Sequence, residues 1–371
     1  MTETILITGG AGFIGRYVAK ALLRRGDRVR VLDSLIEQVH GDRTHPEGLD
    51  PEVEFLAGDV RDEAVVAKAL QGVDKVVHLA AEVGVGQSMY AVDRYVSVND
   101  YGTAVLFQQL IDHPVKRVVT ASSMSIYGEG LYETVDGDLV QDAVRKVRTS
   151  ADEPWDPLDE DGRPLIPVPT PEWKQPALAS VYAISKYVQE RLTLTLTQTY
   201  GMEGVALRLW NVYGPGQALS NPYTGVLAIF AARLLNGNAP MIFEDGLQRR
   251  DFVHVEDIAQ AFVLALNNER AGGGIYNIAS GEDRTVNEVA ECLAQAMNRP
   301  DIVPEVTGKA RIGDVRHNIP DIRKARRELG YAPRMDFTQG LAELAAWVAE
   351  QQAVDRVGEA RRELEARGLV A

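Results

Sequence analysis

The chain has 371 residues, 45% hydrophobic and 25% charged, the balance of an ordinary globular protein with room for one large domain and a smaller lobe. Its 53 Asp and Glu outnumber 39 Lys and Arg, a formal charge of −14 that argues against sequence-independent nucleic-acid binding and leaves any anionic ligand to a few local arginines. A single cysteine, Cys292, excludes an intrachain disulfide or a cysteine-based metal site, and no metal is expected. With no signal-peptide pattern and no apolar run of transmembrane length, the expectation is a cytoplasmic protein with no membrane partner.

Ile5-Leu6-Ile7 predicts a strand, and it opens into TGGAGFIG at 8–15. The apolar positions Phe13, Ile14, Val18, Leu22 and Leu23 then repeat with helical spacing. Strand, tight turn and helix together predict a dinucleotide site. Gly9 permits the turn, Gly12 lets the backbone approach a pyrophosphate, and Gly15 lets the helix pack closely. The helix start at Phe13 and Ile14 offers free N–H groups and the positive dipole end. A second strand, Arg28–Leu32, ends in Asp33, placed to accept the adenosine ribose hydroxyls and to repel a 2′-phosphate. Ser34 and Leu35 follow it, with no arginine, so NAD is expected over NADP.

A third strand is predicted at Val53–Leu56, then a helix around Ala64–Leu70 and a fourth strand at Lys75–Leu79. A long helix follows over about Asp93–Asp112, then a fifth strand at Lys116–Ser122. A helix over about Ser180–Tyr200 and a sixth strand at Val205–Leu209 complete the series. Repeated strand-helix order with continuously apolar strands predicts an α/β fold, a doubly wound parallel (Rossmann) sheet with its ligand at the strand C-terminal ends. Beyond Asn211 the pattern loosens into a smaller C-terminal lobe, and Gly274–Ile278 is expected to rejoin the sheet. The division that follows is 1–210 plus about 251–280 for the dinucleotide domain, 211–250 and 281–345 for the lobe, and 346–371 as a charged helical tail with no assigned role. Residues 129–176 interrupt the spacing with seven of the 17 prolines. Their length and position predict a lid over the site.

Three residues carry the chemistry. Ser123 closes the fifth strand, and Tyr182 and Lys186 lie four apart on one helix face. Tyrosine is a weak base at neutral pH unless a nearby cation lowers its pKa, which Lys186 is expected to do. Ser123 can hold the same substrate oxygen for proton transfer.

The motifs TGGAGFIG, GDVRD, HLAAEVGVGQS, SSMSIYG, YAISK, RLWNVYGPGQ, RRDFVHVEDIA and YNIASGE stand in this order. In them the chain resembles the extended short-chain dehydrogenases/reductases of the nucleotide-sugar epimerase/dehydratase family. The resemblance implies that Asp59 and Val60 contact adenine, that Ala80 lines the nicotinamide ribose and that Lys186 also binds it. It implies that Ser125 and Asn211 hold the substrate and that Arg250 and Arg311 meet its pyrophosphate. Dehydratases of the family carry Asp and Glu directly after the active-site hydroxyl residue; here those places are Met124 and Ser125. Epimerisation at C4 through a transient 4-keto sugar is therefore expected. The insertion and the VGVGQSMY segment most resemble dTDP-L-rhamnose 4-epimerases, with UDP-hexose 4-epimerases and nucleotide 4-keto-sugar reductases as alternatives. Related enzymes pair two helices into a homodimer, here through Val98, Val105, Leu106, Val188, Leu192 and Leu194.

Overall fold

The computed structural model describes residues 2–41, 44–145, 153–311 and 313–370. Seven strands form the main sheet: β1 (Thr4–Thr8), β2 (Arg28–Asp33), β3 (Glu54–Ala57), β4 (Lys75–His78), β5 (Arg117–Ser123), β6 (Glu203–Leu209) and β7 (Ile275–Ile278). Their spatial order is β7-β6-β5-β4-β1-β2-β3, with every neighbouring pair parallel. The order reverses between β1 and β4, so a crevice opens at the C-terminal ends of these two strands. The expected doubly wound sheet is thus present, and β7 returns to it as anticipated.

Helix α1 (Phe13–Arg24) buries Val18, Ala19 and Leu22 against one sheet face. The helices α2 (Glu63–Leu70), α3 (Gly102–Asp112) and α4 (Val181–Thr199) cover the other. The predicted helix over 93–112 is helical but not uniform. A π-helical stretch, Val96–Tyr101, precedes α3 and places buried Asn99 inward. Such bulges concentrate at functional sites.

The smaller lobe has its own core, in which α5 (Val226–Leu235), α7 (Val286–Ala296) and α8 (Phe337–Ala349) enclose Phe230, Leu293 and Leu344. Its small sheet joins Asn211–Tyr213, Arg249–His254, Asp283–Thr285 and His317–Asn318. Within 251–254, Phe252 packs into the lobe core while Val253 packs against the main sheet. The return to the sheet domain continues with α6 (Val255–Asn267), which packs on α1. The expected helical tail, 346–371, is only partly helical: after α8 the chain leaves helical geometry until α9 (Val357–Ala366).

The insertion is a side platform. Leu131–Glu133 pairs with Leu139–Val140 and with Ile166–Val168 in a three-stranded sheet. Glu129 accepts the backbone N–H groups of Arg316 and His317, and the Thr170 N–H donates to Ile319 O at 2.7 Å. None of its described residues lines the main cleft. The expected lid is therefore not seated over the cleft in these residues, whose polar groups bond to the lobe, to the main sheet and the turn beyond β5 through Glu172 and Lys174, and to one another; 146–152 lie outside the described residues.

No helix among the described residues is long and apolar enough to cross a membrane.

Candidate active site

A cleft of about 1820 Å³ runs along the switch point and into the lobe. A single drug-sized ligand takes ~300–1,000 Å³, so two extended ligands fit end to end. Gly9, with φ +69°, forms its inner floor; a Cβ there would lie 2.7 Å from the Ala80 nitrogen. A Cβ on Gly15 would meet Gly10 Cα at 2.5 Å, so this glycine sets the close approach of α1 to the turn. Gly10 was missed in the sequence, yet a Cβ on it would strike Val31 at 2.5 Å. Gly12 differs: a Cβ there would meet only the Gly9 carbonyl, at 3.3 Å. No side chain caps the start of α1 and its first turn holds no acid, leaving the N–H groups at Phe13 and Ile14 for an anion.

Asp33 is oriented by this turn. Its carboxylate accepts the Ala11 N–H at 3.0 Å and the Leu35 N–H at 2.9 Å, and His40 Nε2 lies 3.7 Å away. Asp59 and Val60 line the cleft beyond it. The Asp59 carboxylate is held by Arg61, which keeps its pKa below the usual range, while the Val60 side chain is buried under Gly102.

The chemical end lies where β5 meets α4. Ser123 ends β5 and caps the turn Met124–Tyr127, its Oγ accepting the Ser125 N–H at 3.1 Å and donating to Ser125 Oγ at 3.1 Å. Ser180 caps α4, placing Tyr182 in the first turn, where its N–H donates to Ser88 Oγ at 3.0 Å. The Tyr95 ring stands edge-on to Tyr182, centroids 6.4 Å apart. Ser123, Tyr182 and Lys186 thus line one cleft together with Ala80, Ser125 and Asn211.

The expected lowering of the Tyr182 pKa by Lys186 is not what this structure gives. Burial pushes the Tyr182 hydroxyl up, and its hydrogen bond with Ser123 only partly offsets this. The Lys186 Nζ donates to Gln189 Oε1 at 2.7 Å, and burial lowers its own pKa to about 7. Gln189 continues a buried chain, its Nε2 donating to Ala80 O at 3.2 Å and to Thr103 Oγ1 at 3.0 Å. Thr103 in turn donates to Asn99 O, so it accepts from His78 Nε2 at 2.9 Å, which places the His78 proton on Nε2 and leaves Nδ1 to accept from Thr8 at 2.7 Å. Burial lowers the His78 pKa to about 3, so the ring is neutral. The sequence reading missed this network, whose members are scattered over 8–189. It also missed the buried Arg208–Glu190 pair (2.7 Å) that fastens α4 to the sheet, with Ser122 donating to the same carboxylate at 2.6 Å.

The cations reserved for a pyrophosphate converge on one acid. Arg311 Nη2 lies 2.7 Å and Arg250 Nη2 3.6 Å from the Asp314 carboxylate. Arg250 also donates to the carbonyls of Arg316 and Val315. Against the opposing effect of burial, Arg311, Arg250 and Arg145 hold Asp314 at about 2. Arg250 and Arg311 are thus prepaired rather than free. Asn211 donates to Asp251 O at 2.8 Å and weakly to Met124 Sδ.

The model of the NAD dependent epimerase/dehydratase family matches residues 5–279. The chain belongs to that family. It is 33% identical over 353 residues to a dTDP-L-rhamnose 4-epimerase of Burkholderia thailandensis, covering 94% of this chain and 96% of that one. It is 32% identical to a dTDP-glucose 4,6-dehydratase of Actinoplanes sp., over 92% of this chain and 97% of that one. The UDP-glucose 4-epimerase of Thermus thermophilus, solved as a complex with NAD, superposes with a TM-score of 0.72 at 31% identity, over 94% of this chain and 100% of that chain. For a member of this family the cleft fits the cofactor on three counts: the open face of Gly12, the uncapped start of α1 and the fixed Asp33 carboxylate.

Proposed function

We propose that this family member is a nucleotide-sugar 4-epimerase that uses NAD held by Gly9, Gly12, Phe13, Ile14, Gly15, Asp33, Asp59, Val60, Ala80 and Lys186. The observation that carries the reading is the convergence of Ser123 and Tyr182 on one cleft whose next two positions, Met124 and Ser125, bear no acid or base for water elimination. Bound there, NAD supplies a reversible hydride acceptor. The residues supply the rest. Tyr182 takes the proton of the sugar C4 hydroxyl as that carbon is oxidised, and returns it after the sugar has turned. Ser123 holds the same oxygen. Lys186 sits four residues from the tyrosine, and the charge of a bound nicotinamide ring would help favour the phenolate that burial alone disfavours. Arg250, Arg311 and Asn211 keep the nucleotide anchored while the sugar turns.

The substrate we favour is dTDP-L-rhamnose, giving dTDP-6-deoxy-L-talose. The likeness to the Burkholderia enzyme supports it, as do the apolar Val83, Val85 and Met124 lining the cleft, which suit a sugar lacking a 6-hydroxyl. Purified protein incubated with dTDP- and UDP-sugars, without added NAD, tests both levels. Interconversion of the dTDP-6-deoxyhexoses is expected. Turnover of UDP-glucose and UDP-galactose alone would move the assignment to a UDP-hexose 4-epimerase, and loss of water from dTDP-glucose would overturn epimerisation.

A further inference from the structure

The cover that the insertion does not supply comes from the last described helix. After Ala353 the chain crosses the lobe, with Val354 N–H on Ser220 Oγ at 3.1 Å and Asp355 paired to Arg233 at 3.2 Å. Helix α9 then lies along the cleft. Its lining residues Val357, Ala360, Arg361 and Leu364 follow the i, i+3, i+4, i+7 spacing of one helical face. At one end the Leu364 methyls lie 3.5 Å from where a Cβ on Gly86 would stand. Gly86 belongs to the turn Val85–Ser88, whose Ser88 holds the Tyr182 backbone. One turn earlier Arg361 Nη1 reaches Met241 Sδ at 3.9 Å, and next to Leu364 the Glu365 carboxylate accepts from Lys309 at 3.0 Å. Val370 finally pairs with Arg311.

The C-terminal half of the helix therefore lies beside the turn that holds the Tyr182 backbone, and the chain just beyond it reaches Arg311 at Val370. Arg356 and Arg361 are the cations lining the cleft; Arg361 Nε pairs with Glu365 at 2.9 Å, a carboxylate it shares with Lys309, while Glu363 pairs with Arg367 outside the lining. We infer that α9 is a wall of the substrate half of the site, with Arg361 serving the diphosphate of a nucleoside diphosphate sugar and Leu364 packing on the sugar. This rests on the nucleotide-sugar reading above and adds to it two specificity-determining residues.

The test is calorimetric binding of dTDP and of dTDP-L-rhamnose to the NAD-loaded protein, with steady-state kinetics alongside. The variants are Arg361→Met, Leu364→Ser, a chain ending at Ala353, and Arg362→Met, which changes an exposed arginine outside the lining. Arg361→Met is expected to weaken both ligands about tenfold, the loss of one charge-assisted contact. Leu364→Ser is expected to weaken the sugar nucleotide but not dTDP. The truncated chain should combine both losses, on KM more than on kcat, with NAD content retained. The point variants keep the proposal open to refutation if the truncated chain does not fold. Equal binding by Arg361→Met, Arg362→Met and the unaltered protein would overturn it. An unaltered protein that binds none of the nucleotide sugars would instead sink the reading of the site itself.

Discussion

Lys186 donates to Gln189 Oε1 at 2.7 Å, one turn farther along α4, and so turns its ammonium into a buried polar chain. The lysine that should make Tyr182 a base is thereby committed first to positioning. Tyr182→Phe removes the proton acceptor and keeps the ring against Tyr95, so turnover should fall about a thousandfold or more with NAD retained. Ser123→Ala should cost less, and Lys186→Met should lose NAD as well as rate. The check is kcat with cofactor occupancy measured on each variant. Near-normal epimerisation by NAD-loaded Tyr182→Phe would refute the assignment.

Lys186 also makes a pH-dependent contribution to stability. Its pKa falls from 10.5 unfolded to about 7 folded. Below pH 7 both states are charged and the full burial cost falls on the folded protein; between 7 and 10.5 the folded lysine is neutral and that cost is progressively relieved. The Tm of nucleotide-free Lys186→Met relative to the unaltered protein should therefore shift in the variant's favour as pH drops from 9 to 6. A difference that is flat with pH would contradict the burial argument.

Asp33 holds the turn and is proposed to hold the cofactor as well. Asp33→Ala orphans the Ala11 and Leu35 N–H groups, at a cost of about 1–3 kcal/mol where such donors stay buried. Denaturant melts should show that loss even without nucleotide. Nucleotide released from the denatured unaltered protein should be NAD; recovery of mainly NADP would contradict the reading of this carboxylate.

The chain should pair with itself through α4 and the helical stretch before α3. Val105 and Leu106, expected at that interface, are instead buried in the domain core. The face left open carries Val92, Val96, Tyr101 and Ile184, each 43–53% exposed. Light scattering should give a dimer, and Val96→Asp combined with Ile184→Asp should give a monomer. A monomeric unaltered protein at micromolar concentration would end this proposal.

Arg316 is 1% exposed and pairs with Asp156, Glu244 and Asp245, joining the insertion to the lobe. Arg316→Met leaves three acids facing one another and should destabilise by about 3 kcal/mol or more in equilibrium melts. Hydrogen exchange across 153–176 should rise with it. Unchanged exchange there would mean that the insertion holds itself in place.

The sheet was readable in the sequence because its strands are short apolar runs punctuated by glycine and acids, and the local motifs carry the dinucleotide turn with them. Ser123, Tyr182 and Lys186 could be named because each sits at a strand end or on the helix that follows. What escaped depended on long-range partners. The Thr8–His78–Thr103–Gln189 chain has no periodicity to betray it, and the buried face of α4 is polar, with Ser185, Gln189, Glu190, Thr193 and Thr197. The insertion looked like a lid by length and position; its carboxylates mark an anchor only once Arg316, some 160 residues on, is seen beside Asp156.

The anchoring of that insertion also bears on how the protein is made. Ser123 and Tyr182 flank a segment whose Glu129 and Thr170 are tied to Arg316, His317 and Ile319. A ribosome that has delivered 1–210 has released most of the sheet strands, yet β7 and every one of those late anchors are still unsynthesised. The dinucleotide groove can therefore condense early from nearby strands, whereas the segment joining Ser123 to Tyr182 must wait for contacts of high sequence separation, which close slowly. An emerging chain would acquire its cofactor-binding shape well before it could act on a sugar.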